Sequence, residues 1–194
     1  MKFNFDKPHK SVVIGANGSI GKACVTALNK AGADVISIDL CNSDNIPSEK
    51  FIKCDITSLA EIKKSSKKIE RLDSLIYAVG LNYDGNVIET DWDDYKRLMS
   101  VNLDGAFYVG SVFGKKMIKQ DSGSFVFLSS FAGLRGEAGA AAYCASKFGL
   151  IGFVESFAAE MTSHNIRVNA ISPGNVDSPM LKNVAELIAR RNDS

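Results

Sequence analysis

At 194 residues the chain suits one domain, 1–194, with a sizeable core. Its formal net charge of +1, with 45% hydrophobic and 23% charged residues, is that of an ordinary globular protein and excludes a global field that would draw in nucleic acid or an anionic membrane. The start Met1–Lys10 is too polar for a signal peptide and no apolar run is long enough to span a bilayer, so a cytoplasmic protein with no nucleic-acid or membrane partner is expected.

Short apolar runs alternate with longer helical patterns. Ser11–Ile14 reads as a first strand buried on both sides, Ile20–Lys30 as a helix stopped at Gly32, and Val35–Asp39 as a second strand. Phe51–Cys54 predicts a short third strand. Leu59–Leu72 predicts an amphipathic helix whose Lys63, Lys64, Lys67 and Lys68, with Glu61 and Glu70 nearby, form a solvated face. Leu75–Val79 predicts a fourth strand, and Trp92–Lys119 one long helix or two consecutive ones. Ser124–Leu128 predicts a fifth strand, Tyr143–Met161 a helix and Ile166–Ile171 a sixth strand. Strands alternating with helices imply right-handed crossovers and an α/β fold: a Rossmann-type, doubly wound parallel sheet with helices on both faces. The helices around Val101–Met117 and Leu150–Met161 are apolar over too wide an arc to face a sheet alone, which points to a subunit interface.

The segment Gly15-Ala16-Asn17-Gly18-Ser19-Ile20-Gly21 falls between the first strand and the first helix, where a dinucleotide-binding turn belongs. Gly15 permits the tight turn, Gly18 lets the backbone approach a pyrophosphate, and Gly21 lets the helix pack closely on the strand. The helix N-terminus then offers free N–H groups to the phosphates. A P-loop is excluded, because Ala16 stands where it needs a glycine and Ala23 where it needs a magnesium-binding hydroxyl. Asp39 ends the second strand, 18 residues after Gly21. A carboxylate there accepts hydrogen bonds from a ribose 2′-OH and repels a 2′-phosphate, so the expected cofactor is NAD. No Arg or Lys stands at Ala16, Asn17, Leu40 or Cys41 to reverse that preference.

Tyr143 and Lys147 open a helix at a spacing that puts ammonium beside phenol. A tyrosine normally titrates at about pH 10, and a neighbouring positive charge favours its phenolate, which suits it to general acid–base work. Ser129 and Ser130 follow the fifth strand at the carboxyl edge where open α/β sheets bind ligands, and Ser130 can hydrogen-bond a substrate oxygen. Cys24, Cys41, Cys54 and Cys144, with His9 and His164, show no metal-binding spacing, so no metal is expected and the cysteines read as reduced thiols.

Taken in order from Ser11 to Met180, these motifs resemble the short-chain dehydrogenase/reductase family, including its 3-oxoacyl reductase-like and sugar or alcohol dehydrogenase members. The resemblance implies a catalytic tetrad of Asn102, Ser130, Tyr143 and Lys147. Hydride would pass between the nicotinamide and the substrate carbon, and Tyr143 would move the proton. Lys147 would lower the Tyr143 pKa and hold the nicotinamide ribose. Ser130 would orient the substrate oxygen, and Asn102 would anchor a water linking Lys147 to solvent. It also implies cofactor contacts at Asn17, Ser19, Ile20, Asp55, Ile56 and Gly80, and around Pro173, Gly174, Val176 and Ser178, where backbone groups and a hydroxyl meet the nicotinamide. Two positions depart from the family: Ser19 replaces its middle glycine, with Gly18 one place earlier, and Tyr77-Ala78-Val79-Gly80 replaces its Asn-Asn-Ala-Gly.

The expected activity is NAD-dependent interconversion of a secondary alcohol and its carbonyl compound. The competing possibility is a non-catalytic NAD-binding or partner-binding relative. Phe131–Ala142 is expected to line a small-walled substrate pocket, with Arg135 a solvated loop charge. The family continues well past Met180 with a further helix and a seventh strand. Residues 179–194 are therefore expected to form a partial, mobile substrate lid, with an amphipathic helix over Leu181–Arg191. Ile166–Ile171 is expected as an exposed edge strand unless a partner covers it. A homodimer is the expected assembly, with a homotetramer as the other possibility.

Overall fold

The structure, a computed structural model, describes residues 4–41, 47–179 and 181–182. All six expected strands form: β1 (His9–Ile14), β2 (Ala33–Asp39), β3 (Lys50–Lys53), β4 (Ser74–Tyr77), β5 (Gly123–Leu128) and β6 (Ile166–Ile171). Every pairing is parallel, in the order β3-β2-β1-β4-β5-β6. The chain winds outward from β1 to β3, then crosses back to β4 and winds the other way. The carboxyl ends of β1 and β4 therefore flank a crevice at the reversal point.

Successive strand residues face opposite sides of a sheet, so a strand covered on both sides reads as an unbroken apolar run. Val12 and Ile14 of β1 join Ile36 and Ile38 of β2 in one core, and Val13 and Val35 join Val25 of the helix α1 (Ser19–Lys30) in the other. The larger core also takes Phe125 and Phe127 of β5, Val109 and Phe113 of α4 (Gly105–Gln120), and Leu150 and Val154 of α5 (Ala141–Met161). Each such side chain contributes ~1.5–3 kcal/mol on burial.

Element boundaries shift by no more than two residues from the sequence pattern, except at the end of the second helix, and the long helical stretch takes the divided one of its two expected forms. The helix α2 (Leu59–Ser66) ends before Leu72, since Lys68 and Ile69 donate N–H to Ser65 and Ser66 in tight turns. Ile69 and Leu72 remain buried, which is why they kept helical periodicity. β4 stops at Tyr77, short of Val79. The long helical stretch divides into α3 (Trp92–Met99) and α4, joined by a π-helical segment Ser100–Asp104 that contains Asn102. Lys63, Lys64, Lys67 and Lys68 are exposed, as expected. Among the described residues β6 pairs with β5 alone and leaves its other edge open. The expected lid helix over Leu181–Arg191 lies, beyond Lys182, outside the described residues.

Candidate active site

Two glycines shape the turn after β1. Gly15 has φ +81°, and a Cβ there would lie 2.8 Å from the carbonyl carbon and oxygen of Ala78. Gly21 lies in the first turn of α1, where a Cβ would come 2.0 Å from the Gly15 carbonyl oxygen. The turn is thus pressed between β4 and α1 by backbone on both sides. Gly18 precedes α1 and no side chain caps that helix, so its first-turn N–H groups remain available to an anion.

Asp39 faces the same turn. Its Oδ2 accepts the Asn17 backbone N–H at 2.8 Å and its Oδ1 accepts that of Leu40 at 2.7 Å. The Asn17 side-chain amide donates to the Cys41 carbonyl, which clamps the chain after β2 onto the turn. A carboxylate has about four lone-pair sites, so Asp39 retains acceptor capacity beyond these two bonds. Past β3, Asp55 accepts the Thr57 backbone N–H at 2.9 Å and the Thr57 hydroxyl at 2.7 Å through one oxygen, Oδ1.

On the other side of the crossover stand the four groups of the expected tetrad. Lys147 is 3% exposed, and its Nζ donates to the Leu128 carbonyl at 2.9 Å and sits 5.9 Å from the Tyr143 ring centre. Burial lowers its pKa to about 8. Burial also raises the Tyr143 phenol; a hydrogen bond with Ser130 works against that rise, while Cys144 and Glu137 add to it. Ser130 accepts the Ala132 N–H at 3.2 Å. The Tyr143 pKa thus moves opposite to the expected lowering, with burial as the main cause. Asn102 is fully buried; its Oδ1 accepts the Leu81 N–H at 2.8 Å and its Nδ2 donates to the Leu81 carbonyl at 2.9 Å and to Ser146 Oγ at 3.0 Å. Gly80 brings the two halves together, since a Cβ on it would lie 3.3 Å from Lys147 Nζ and 3.6 Å from Asn102 Oδ1.

A cleft of about 420 Å³ opens along the carboxyl ends of β1 to β4. Of the residues expected to bind cofactor, Gly15, Gly18, Asp39, Asp55, Ile56 and Gly80 line it. Asn17, Ser19, Ile20 and Gly21 shape its turn without lining it. Ser130, Tyr143 and Lys147 lie beyond its Gly80 end. Pro173 is tied to the Tyr143 side, its carbonyl accepting the Phe131 N–H at 2.8 Å, and Ser178 accepts the Leu181 N–H at 3.2 Å. Gly174 and Val176 are exposed. None of Pro173, Gly174, Val176 and Ser178 lines the cleft. Sequence reasoning missed Leu81, Val101 and Arg97 among the cleft-lining residues. The helical spacing of Arg97 and Val101 carries no signal of this by itself; only the placement of that helical stretch beside the crevice makes them part of its wall. A second, more open groove of about 500 Å³ beside β6, lined by residues such as Thr162 and Arg167, holds none of the expected site residues.

A glycine turn, an acid at the end of β2 and a crevice at the strand reversal define a dinucleotide-binding α/β protein. The profile of the short chain dehydrogenase family matches residues 10–188. The 3-oxoacyl-[acyl-carrier-protein] reductase FabG of Thermotoga maritima is 33% identical over 189 residues, covering 90% of this chain and 77% of that protein. Dehydrogenase/reductase SDR family member 6 of Aquarana catesbeiana is 34% identical over 175 residues, covering 87% of this chain and 71% of that protein. An NAD+-bound xylitol dehydrogenase superposes with a TM-score of 0.91 at 30% identity, over 98% of this chain and 78% of that one. The chain belongs to the short-chain dehydrogenase family, whose members are oxidoreductases that bind a nicotinamide cofactor and act on small molecules. Among the described residues no helix is long and apolar enough to cross a membrane.

Proposed function

We propose that the protein is an NAD-dependent oxidoreductase that interconverts a secondary alcohol and its carbonyl compound, with Tyr143 as the general acid and base. The observation that carries this reading is the buried Lys147 beside Tyr143, which is itself hydrogen-bonded with Ser130 at the open end of the cleft. A nicotinamide group fits the residues present. Gly18 and Gly80 line the cleft without a side chain to fill it, the N-terminus of α1 is uncapped, and the cleft runs from Asp39 to Gly80 beside Lys147.

The bound cofactor supplies or accepts the hydride. Tyr143 gives its proton to the carbonyl oxygen in reduction and takes it from the alcohol in oxidation. Ser130 holds that oxygen and stabilises the charge that develops on it. Lys147 holds the nicotinamide ribose and favours the phenolate. Lys147 Nζ and Asn102 Oδ1 face the same point beside Gly80, and a water held there would link the ammonium to solvent. Pro173, Gly174, Val176 and Ser178 would complete the nicotinamide end. Asp39 selects NAD by accepting the ribose hydroxyl and repelling a 2′-phosphate. The xylitol dehydrogenase neighbour, solved with NAD+, supports that choice.

We place the protein in the cytoplasm on its free thiols at Cys24, Cys41, Cys54 and Cys144. We assign it a homodimer, because Phe107 on α4 and Phe148 on α5 are 57% and 45% exposed on two otherwise apolar helices; a monomer by light scattering at micromolar concentration would refute the assignment. The test of function is turnover of NADH or NAD with a panel of sugars, hydroxy acids, acyl thioesters and steroids. Catalysis that is lost in Tyr143→Phe is expected. Tight NADH binding with no turnover on any substrate would mark a non-catalytic module, and equal use of NADPH would remove the role given to Asp39.

A further inference from the structure

The helix α3 brings a cation to the cleft that the mechanism above does not use. Arg97 stands four residues before Val101, so both side chains rise from one side of the helical stretch, and both line the cleft. Arg97 is exposed, and among the described residues its side chain makes no ion pair or hydrogen bond. The two carboxylates of the cleft are bonded elsewhere, Asp39 to the backbone N–H groups of Asn17 and Leu40, and Asp55 to Thr57.

The order of the strands decides which part of a dinucleotide this arginine meets. The cleft is bounded by the ends of β1 to β4 and contains neither Tyr143 nor Ser130. It is therefore the half of the crevice away from the reacting groups, where the adenosine end of the cofactor belongs. Its walls combine the apolar side chains of Ile56, Leu81 and Val101 with the carboxylates of Asp39 and Asp55. A phosphate placed between Asp39 and Asp55, away from the N-terminus of α1, would face two like charges, whereas a flat neutral ring would face apolar walls. A guanidinium is planar, weakly hydrated and stacks on aromatic faces, which an ammonium does poorly.

We propose that Arg97 is a cofactor-binding residue that stacks its guanidinium on the adenine ring. This rests on the nicotinamide-dinucleotide reading above. Among the described residues the Arg97 side chain has no partner to lose, so Arg97→Ala is expected to keep the melting midpoint of the unaltered protein. The test is direct titration with NADH, with ADP-ribose, and with the reduced mononucleotide NMNH, which lacks the adenosine. Arg97→Ala is expected to weaken NADH and ADP-ribose binding roughly two- to tenfold and to leave NMNH binding unchanged. Arg97→Lys should recover little of the loss. Unchanged NADH affinity in Arg97→Ala overturns the inference, as does an equal loss for NMNH. Full recovery in Arg97→Lys, with the loss vanishing at high salt, would instead identify a phosphate contact and overturn it too. Should the unaltered protein bind no NADH at all, the dinucleotide reading fails and this inference with it; NADH binding that ignores Arg97 sinks only the inference.

Discussion

Replacing Gly21 by alanine sets a Cβ 2.0 Å from the Gly15 carbonyl oxygen, and both groups belong to backbone, so no side chain can turn away. Either α1 moves off β1 by about an ångström or the turn distorts, and overpacking of this kind costs ~1–3 kcal/mol or more. Gly32 provides the control. Its φ is +84° with nothing within 4 Å of an added Cβ, so Gly32→Ala carries only the left-handed backbone cost of ~1–2 kcal/mol. Gly15 combines the two effects, with φ +81° and a Cβ 2.8 Å from the Ala78 carbonyl, and Gly15→Ala should cost roughly 2–5 kcal/mol. At about 2–4 °C per kcal/mol for a chain of this size, Gly32→Ala lowers the melting midpoint by a few degrees and Gly15→Ala by roughly twice as much. Urea unfolding followed by circular dichroism measures the series, and NADH titration reads the turn itself. Gly32→Ala should bind NADH as the unaltered protein does, while Gly15→Ala and Gly21→Ala should bind it poorly. If Gly21→Ala bound NADH normally and cost no more than Gly32→Ala, the close contact between turn and helix would not be what shapes the cofactor site.

The other predictions concern the tetrad. Tyr143→Phe keeps the ring and removes the hydroxyl, so kcat should fall by at least ~100-fold with NADH affinity nearly unchanged; substantial residual turnover would send the proton by another route. Lys147 also gives stability a pH dependence. Below about pH 8 the folded and unfolded chains both carry its proton, and the cost of the buried charge is present in full. Between about 8 and the ordinary 10.5 the unfolded chain binds more protons, so stability rises with pH, by an amount on the order of 3 kcal/mol at most. Urea midpoints from pH 7 to 10 should rise more steeply in the unaltered protein than in Lys147→Met, and identical slopes would mean that the buried ammonium is not destabilising.

The strands were legible because each is covered on both faces, which forces continuous apolar runs such as Val12–Ile14 and Phe125–Leu128. Gly15 and Gly21 were legible because the turn they make tolerates no other residue. The end of α2 was not, since Ile69 and Leu72 are buried from a turn and keep the helical period without the helix. Nor was the π-helical segment at Asn102. Its bulge is held by tertiary bonds, from Tyr77 Oη to the Val101 carbonyl at 2.8 Å and from Asn102 to Leu81 and Ser146, and no local pattern announces them. Arg97 was missed for a different reason. An exposed arginine on a helix is ordinary in sequence, and only the placement of α3 over the crevice makes it part of a wall.

The direction of the Tyr143 shift changes how the proposed tetrad would work. Sequence spacing gave Lys147 the task of making a phenolate. In the folded chain one cause, burial, moves the two groups apart, raising the phenol and lowering the ammonium to about 8. At pH 7 the pair therefore rests as a neutral phenol beside a charged lysine whose Nζ is committed to the Leu128 carbonyl. A phenol is the acid form, ready to protonate a carbonyl oxygen. Proton removal from an alcohol requires the phenolate, and a further positive charge within ~4–6 Å can lower such a pKa by ~1–3 units. Under the proposed function that charge is present in one direction only, because the oxidised nicotinamide ring is positive and the reduced ring is neutral. Tyr143 would then be held as the acid when a carbonyl is to be reduced and shifted towards the base when an alcohol is to be oxidised. Burial would then set the resting form of Tyr143, and the redox state of a bound cofactor its departure from that form.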